Sequence, residues 1–186
     1  MKKIVLLALL CSLIGTTAMA QTKAEKRKTQ KTEQLALQSQ QLEQMVLQEH
    51  KFTFVAEIAY SQMPGLNSRQ LASKEYFMAI GADKISCALP FYGRSYTSNS
   101  LNRISPLSFE SKSFIYKSFI YQVKQNDGKY LVQIKAKATV DYELTPIDYN
   151  ISIEVFDNGT AVVNINSSKY SNMMFFGHIV PFSDEI

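Results

Sequence analysis

The chain has 186 residues, with 20 Lys and Arg against 16 Asp and Glu and a formal net charge of +4. This length is typical of a single domain, and the near balance of charge excludes a strong cationic field for nucleic acid or for an anionic membrane surface. Two cysteines in the whole chain exclude a disulfide-stapled scaffold.

Residues 1–20 predict a cleaved secretory signal peptide. Lys2 and Lys3 precede an apolar run, and small residues follow it up to Ala20. The run covers residues 4–14, which is too short to cross about 30 Å of hydrocarbon, because a spanning helix needs about 20 residues. We therefore expect export to a periplasm or the cell exterior, with no stable transmembrane segment after cleavage. The remaining 166 residues would carry a formal charge of +2.

Residues 21–50 predict a charged N-terminal α-helix. The segment contains no Gly or Pro and is rich in Lys, Glu, Gln, Leu and Ala, which is helix composition. Its first half is charged on all sides. Its second half carries a narrow apolar stripe, so we expect only this half to dock, either on the sheet or on another chain. The stripe consists of Leu35, Leu42, Met45 and Val46.

Residues 51–186 predict a single antiparallel β domain, because the apolar period changes from helical spacing to alternation at residue 51. We expect a mainly β fold with about eight strands in an antiparallel meander, forming a curved sheet, a sandwich or a barrel. The first strand has an apolar face through Phe52, Phe54, Ala56 and Ile58, and the last strand passes through Phe175, Gly177 and Ile179. A short hairpin places Met78 opposite Cys87 and Ile80 opposite Ile85.

Two longer hairpins have predicted registers. A two-residue turn at Asp127-Gly128 would place Val123 opposite Val132, Tyr121 opposite Ile134, Phe119 opposite Ala136 and Ile115 opposite Val140. A three-residue loop with Gly159 in the left-handed conformation would place Val155 opposite Ala161, Ile153 opposite Val163 and Ile151 opposite Ile165.

The strand near residue 114 has a second apolar face. It carries Phe114, Tyr116 and Ile120, which a strand buried on one side does not need. Either the sheet closes around an apolar interior, or a second layer, such as the 35–47 helix, covers this face. The sequence leaves both arrangements open.

Residues 90–113 are the longest stretch without clear periodicity, and long loops are disproportionately functional. An arginine between tyrosines can bind a carboxylate or phosphate through its planar fork while the rings stack. The alternative is structural, with the tyrosines capping the open end of the sheet and Arg94 pairing with a carboxylate or with loop carbonyls. The candidate ligand-binding or partner-binding residues are Tyr92, Arg94, Tyr96 and Arg103.

The string Leu-Pro-Phe-Tyr-Gly-Arg-Ser-Tyr at residues 89–96 resembles a secreted Gram-negative family known as the domain of unknown function DUF4251. The Phe-Asp-Asn-Gly-Thr-Ala turn at residues 156–161 and the closing Phe-Phe-Gly-His-Ile strand at residues 175–179 resemble the same family, although Phe175 stands where the family has Tyr. The resemblance covers the signal, the helix and the β region. It implies a secreted β domain and brings no known activity, substrate or cofactor.

No catalytic or metal-binding constellation occurs in the sequence. His50 and His178 are far apart in the chain, with no Cys or carboxylate at metal-ligand spacing. No nucleophile elbow or phosphate-binding glycine loop is present. We therefore expect no enzyme activity, metal or cofactor, and we expect Cys87 to be a small buried hydrophobe.

Three hypotheses about function follow from these observations. The first is a periplasmic binding or interaction module that presents residues 91–103, or a concave sheet face, to a small ligand or to another envelope protein. The second is a structural or envelope-assembly protein that acts through the N-terminal helix, pairing through Leu35, Leu42 and Val46. The third is an enzyme of unrecognised type.

Overall fold

The structure is a computed structural model, and it divides into two compact units, residues 1–38 and residues 39–186. The predicted signal peptide lies outside the described residues. The described ranges are 26–61, 68–71, 75–96, 105–122, 128–140 and 145–183.

One helix, α1, precedes the sheet, as the sequence predicts. It spans residues 26–43 and continues as a π-helical turn at Gln44–Glu49. His50 ends the helix in the left-handed conformation with φ 54°, and the Lys51 N–H donates to the Met45 carbonyl at 3.0 Å. The chain therefore leaves the helix in a tight cap and enters the first strand directly.

The described residues form ten strands in one antiparallel sheet, which confirms the mainly β prediction. Their order across the sheet is β5-β4-β3-β1-β10-β9-β8-β7-β6, with β2 beside β1. Two meanders are thus joined where β1 pairs with β10. The short strands β2 and β5 were not predicted. The strands are β1 Phe52–Ser61, β2 Arg69–Gln70, β3 Phe77–Ile80, β4 Ile85–Ala88, β5 Ser108–Ser111, β6 Ser113–Gln122, β7 Gly128–Ala138, β8 Ile147–Phe156, β9 Thr160–Ser167 and β10 Met173–Val180.

The sheet curves nearly to closure in a barrel-like form, because its two outermost strands are halves of one bent strand. β5 and β6 end the sheet order on opposite sides, yet only Lys112 separates them in the chain. The Ser111 hydroxyl donates to the Lys137 carbonyl of β7 at 2.7 Å. The Phe109 ring of β5 stacks on the Tyr149 ring of β8, with centroids 4.4 Å apart. Of the three predicted arrangements, the structure has the nearly closed single sheet.

The second half of α1 contributes to the core inside this sheet. Leu42 and Val46 are buried among the core residues of the strands. The Tyr116 hydroxyl of β6 donates to the Val46 carbonyl at 2.7 Å, and the His50 ring stacks on the Tyr116 ring at 4.4 Å. Curvature and helix packing therefore both cover part of the second apolar face of β6: Phe114 and Tyr116 are half-buried, whereas Ile120 is 60% exposed. Leu35, earlier in the helix, is exposed.

The β8–β9 hairpin has the predicted register. Val155 lies opposite Ala161 and Ile153 opposite Val163. Gly159 adopts φ 80°, a left-handed conformation that glycine reaches without steric cost, and its N–H donates to the Phe156 carbonyl at 2.8 Å. The β3–β4 hairpin also has the predicted pairs, Met78 with Cys87 and Ile80 with Ile85.

The predicted register of the β6–β7 hairpin is wrong by five residues. Phe119 lies opposite Leu131 rather than Ala136, Ile115 lies opposite Lys135 rather than Val140, and Tyr121 lies opposite Lys129 rather than Ile134. Val123 and Asp127 lie outside the described residues. Because the shift is odd, the two faces of β6 exchange roles. Ile115 and Phe119, which were predicted to be buried, are 60% and 48% exposed.

The first strand changes face partway along its length, which the sequence pattern did not predict. Phe52, Phe54 and Ala56 are buried as expected, but a register shift against β10 between Ala56 and Ile58 moves the next buried position to Ala59. Ile58 is therefore only half-buried. A β-bulge of this kind bends its strand and helps a sheet to curve.

Thr53 provides a stability prediction, because its hydroxyl is fully buried and has no hydrogen-bond partner among the described residues. Thr53→Val keeps the shape of the side chain and removes the unsatisfied group. We expect this change to raise the free energy of unfolding by about 1 kcal/mol. Urea denaturation of both proteins measures the difference, and a less stable valine variant would show that the hydroxyl is satisfied in solution.

No helix in the part of the chain that the structure describes is long and apolar enough to cross a membrane.

Candidate functional site

The segment that follows β4 is fixed by backbone contacts to the turn before β10. Ser95 pairs with Tyr170 in a single β-bridge. The Tyr96 N–H donates to the Lys169 carbonyl at 2.8 Å, and the Ser171 N–H donates to the Arg94 carbonyl at 2.9 Å. Residues 94–96 are therefore held in place by the backbone, whatever their side chains do.

Gly93 is required by close packing at this contact. A Cβ atom at Gly93 would clash with the Ser171 hydroxyl and would lie 2.7 Å from the Phe91 ring. The same hydroxyl accepts the Arg94 N–H at 2.8 Å, and the Phe91 ring meets the Tyr170 ring edge-on at 5.5 Å. These contacts give much of the Leu-Pro-Phe-Tyr-Gly-Arg string a structural explanation.

An open groove of about 600 Å³ lies beside Tyr92. Its lining combines apolar and aromatic side chains with the carboxylate of Glu75 and with serine and tyrosine hydroxyl groups. Small-molecule sites typically combine apolar surface with a few polar groups. The residues that line it include Tyr76, Leu89, Pro90, Phe91, Tyr92 and Pro106.

Arg69 lies over the Tyr92 ring, with its guanidinium carbon 4.3 Å from the ring centroid. Strand β2 positions this arginine, since Arg69 pairs with Ala59 of β1 and the Leu71 N–H donates to the Glu57 carbonyl at 2.7 Å. A guanidinium stacked on a ring keeps its N–H donors in its own plane. Arg69 can therefore stack on Tyr92 and still bind a carboxylate or phosphate.

The predicted binding residues have different positions. Tyr92 lines the groove. Arg94 and Tyr96 have exposed side chains and are not among the described residues that line it, and Tyr96 is 67% exposed. Arg103 lies outside the described residues. The structure thus brings Tyr92 together with Arg69 and not with Arg94.

The sequence did not predict Tyr76 as a lining residue of the groove or Arg69 as the residue that stacks on Tyr92. Tyr76 lies directly before β3 and Arg69 lies in the two-residue strand β2, and neither stands in a residue pattern that indicates a binding site. The Arg69–Tyr92 contact joins residues 23 positions apart in the chain through a two-residue strand. No local pattern in the sequence marks such a contact.

The two histidines lie at separate places in the fold. His50 stacks on Tyr116, and His178 Nδ1 lies 2.8 Å from a carboxylate oxygen of Glu57 on the exposed side of the sheet. Among the described residues, no group of three or more His, Cys, Asp or Glu side chains could hold a metal ion.

Cys87 is buried, and burial raises the pKa of its thiol well above the usual range. Up to about pH 8.5 the thiol is protonated in both the native and the unfolded chain. Above that pH the unfolded chain loses the proton while the native chain keeps it, so the free energy of unfolding falls by up to about 1.4 kcal/mol per pH unit.

We therefore expect stability to decline between about pH 8.5 and 10, and to decline less in Cys87→Ala. Burial also raises the pKa of Tyr116, but tyrosine titrates at about pH 10 in the unfolded chain, above this window. Urea denaturation across the window tests the prediction. Equal slopes for the two proteins, or rapid reaction of native Cys87 with a thiol reagent, would contradict it.

The fold and the groove define a mainly β protein with one antiparallel sheet, curved nearly to closure and preceded by a helix. The chain belongs to the family described as Domain of unknown function (DUF4251), whose family model matches residues 33–179. This match confirms the predicted family resemblance for residues 33–179, which include the second half of the helix and most of the β region. No curated protein matches the chain.

Proposed function

We propose that this protein is an exported, non-catalytic binding module that holds a small ligand with an anionic group in the groove beside Tyr92. The observation that carries the proposal is the stacking of Arg69 on Tyr92, 4.3 Å from the ring centroid, at an open groove of about 600 Å³. This volume lies within the range of about 300–1,000 Å³ that ligand sites have.

The groove supports an organic ligand whose anionic group lies at Arg69. Glu75 is the one charged side chain among the described residues that line the groove, and Arg69 stacks on Tyr92 without being one of those residues, so the anion must be held at Arg69 and not by the lining itself. Leu89 and Pro90 provide apolar surface for the body of the ligand, and Tyr76 and Tyr92 provide rings and hydroxyl groups. Arg69 is exposed and can offer two parallel N–H donors to a carboxylate or phosphate. The sequence contains no recognisable set of a nucleophile, a general base and a residue that orients the base, which supports a binding role.

Export is the part of the proposal that rests on the sequence. Lys2 and Lys3, the apolar run after them and the small residues up to Ala20 support a cleaved signal and a periplasmic or secreted protein. Expression with residues 1–20 intact, followed by N-terminal sequencing of the periplasmic product, tests this part. A mature chain that starts at Gln21 supports export, and an uncleaved chain contradicts it.

Native mass spectrometry of the protein from a periplasm, purified without denaturation, tests the binding role. We expect added mass that disappears on unfolding, and we expect Tyr92→Ala and Arg69→Ala to lose it. Tyr96→Ala is the matched control, because Tyr96 is exposed and does not line the groove. A wild-type protein without added mass, or an equal retained mass in Tyr92→Ala, would contradict the proposal.

The alternative is assembly through the N-terminal helix, and one observation favours it. Leu35 and Leu37 are 48% and 60% exposed in the helical residues 26–38. Deletion of residues 22–34 with the double change Leu35→Ser and Leu37→Ser separates the two roles. Loss of a wild-type dimer in this variant would favour assembly, whereas a retained ligand in a monomer would favour the binding module.

A further inference from the structure

A second open groove, of about 360 Å³, crosses the outer face of β7, β8 and β9. Of the ten described residues that line it, six are polar and uncharged, one is Lys135 and three are isoleucines whose side chains are buried on the other face of the sheet. Six of the polar lining residues occupy outward-facing positions on the paired strands of a continuous sheet. We name this surface the amide face, and it consists of Gln133, Lys135, Asn150, Ser152, Asn164 and Asn166.

The strand register arranges the amide face in two rows. Lys135 lies opposite Asn150, which lies opposite Asn166. Gln133 lies opposite Ser152, which lies opposite Asn164. Neighbours within a row are about 4.8 Å apart, and the rows are about 7 Å apart, because alternate residues of a strand share a face. The result is a rigid grid of hydrogen-bonding groups.

A polar outer face is expected of a sheet with one buried side, but the fold does not explain why asparagine occupies three of its positions. Asparagine is depleted in β-strands, where threonine or a β-branched residue packs better. The side chains of Asn150, Asn164 and Asn166 form no hydrogen bond with the described residues. Each free amide offers two donors and an acceptor. These side chains therefore give the sheet no hydrogen bonds and are available to a ligand.

We propose that the amide face binds a neutral oligosaccharide. Sugar hydroxyl groups donate and accept hydrogen bonds at closely spaced positions. A carboxamide can accept a hydrogen bond through its oxygen and donate through its NH₂ group at the same time. Met174, opposite Asn164 on β10 and next to Tyr60 of β1, adds an apolar border for the carbon face of a sugar ring. This site is on the outer face of the sheet and does not depend on the groove beside Tyr92.

Two other classes of macromolecule fit the amide face less well. A peptide cannot add to it as a strand, because β7, β8 and β9 are already paired on both sides. A nucleic acid needs several cations for its phosphates, and Lys135 is the one cationic residue among the described residues that line this groove. A neutral ligand with many hydroxyl groups is the class that the chemistry favours.

The test is a titration of the ¹⁵N-labelled protein with cellohexaose, maltohexaose, xylohexaose and tetra-N-acetylchitotetraose. Side-chain NH₂ signals of asparagine and glutamine are distinct from backbone N–H signals in the nitrogen–proton spectrum. Binding at the amide face can therefore be observed directly on its own side chains. We expect at least one sugar to shift the Asn150, Asn164 and Asn166 side-chain signals. The triple change to threonine at these positions should weaken binding at least tenfold without lowering the melting temperature.

Tyr92→Ala is the control, because it changes the other groove and should bind the same sugar as the wild type does. This control separates failure of the present proposal from failure of the one for Tyr92. The proposal would be overturned if none of the four sugars shifted the three asparagine signals at millimolar concentration, or if the triple variant bound as tightly as the wild type. It would also be overturned if a peptide or an oligonucleotide shifted these signals and the sugars did not.

Discussion

Gly177→Ala is expected to remove most of the stability of the sheet, at a cost above about 4 kcal/mol. A Cβ atom at Gly177 would overlap the Val55 carbonyl oxygen, and it would lie 2.9 Å from the Val55 carbonyl carbon and 3.0 Å from the Phe54 ring. The Val55 carbonyl is backbone, so it cannot move without separating β1 from β10. Native domains are stable by about 5–15 kcal/mol, so this variant should be largely unfolded or insoluble.

The position of Gly177 explains why the effect should be large. It pairs with Ala56, beside the register shift in β1, on the strand pair that joins the two meanders of the sheet. Soluble yield, far-ultraviolet circular dichroism and urea denaturation measure the loss.

Gly81→Ala is the matched control for Gly177→Ala. A Cβ atom at Gly81 would lie 3.2 Å from the Lys84 carbonyl oxygen and 3.3 Å from the Phe182 ring, contacts that small shifts can relieve. We expect this variant to fold and to lose about 1 kcal/mol or less. Similar melting of Gly177→Ala and the wild type would show that β1 and β10 do not approach as closely in solution.

The two long hairpins show what the sequence could predict. In β8, apolar and polar residues alternate from Ile147 to Val155, and Gly159 fixes a three-residue loop, so pattern and turn give the same register. In β6, both faces carry large apolar residues, so the hydrophobic pattern fits a shifted register almost as well as the correct one. The predicted register of β6 and β7 therefore depended mainly on a two-residue turn at Asp127-Gly128, and it was wrong by five residues.

The register of β6 is set by a contact that is distant in sequence. Ser113 lies opposite Lys137, and the neighbouring Ser111 hydroxyl donates to the Lys137 carbonyl at 2.7 Å. This arrangement exists because β5 and β6 are one bent strand that reaches both edges of the sheet. The short strand β5 was not predicted, so its restraint on β6 was missing from the sequence analysis.

The residues of the candidate site also differ in whether the sequence could predict them, depending on whether their contacts are local or distant in the chain. Tyr92 was predicted from its own loop, and it does line the groove. Arg69 could not be predicted, because its position depends on a two-residue strand that pairs with β1. Local composition finds residues that are suited to binding, whereas the set that shares a groove depends on the fold.

Tyr149→Ala is expected to destabilise the protein by about 3–5 kcal/mol, because it removes a fully buried ring from the place where the sheet closes. The ring stacks on Phe109 at 4.4 Å with an interplanar angle of 12°. The Tyr149 hydroxyl donates to the Pro106 carbonyl at 2.6 Å, also in a buried position. Pro106 directly precedes β5, and Phe109 lies within it. Two strands, β6 and β7, separate β5 from β8 in the chain.

Tyr149→Phe separates the ring from the hydroxyl. It keeps the stacking and leaves the Pro106 carbonyl without its donor, so we expect a loss of about 1–2 kcal/mol. Urea denaturation gives both values, and Tyr96→Ala is the control, because an exposed ring should change stability by less than about 0.5 kcal/mol.

Amide hydrogen exchange shows where the loss of Tyr149 acts. If Tyr149 holds the two edges of the sheet together, Tyr149→Ala should speed exchange in Ser108–Ser111 and in Ile85–Ala88 more than in Thr160–Ser167. Uniformly faster exchange would mean that the ring supports the core as a whole. Unchanged exchange in β5 would contradict this role and would show that β5 keeps its place without the Tyr149 ring.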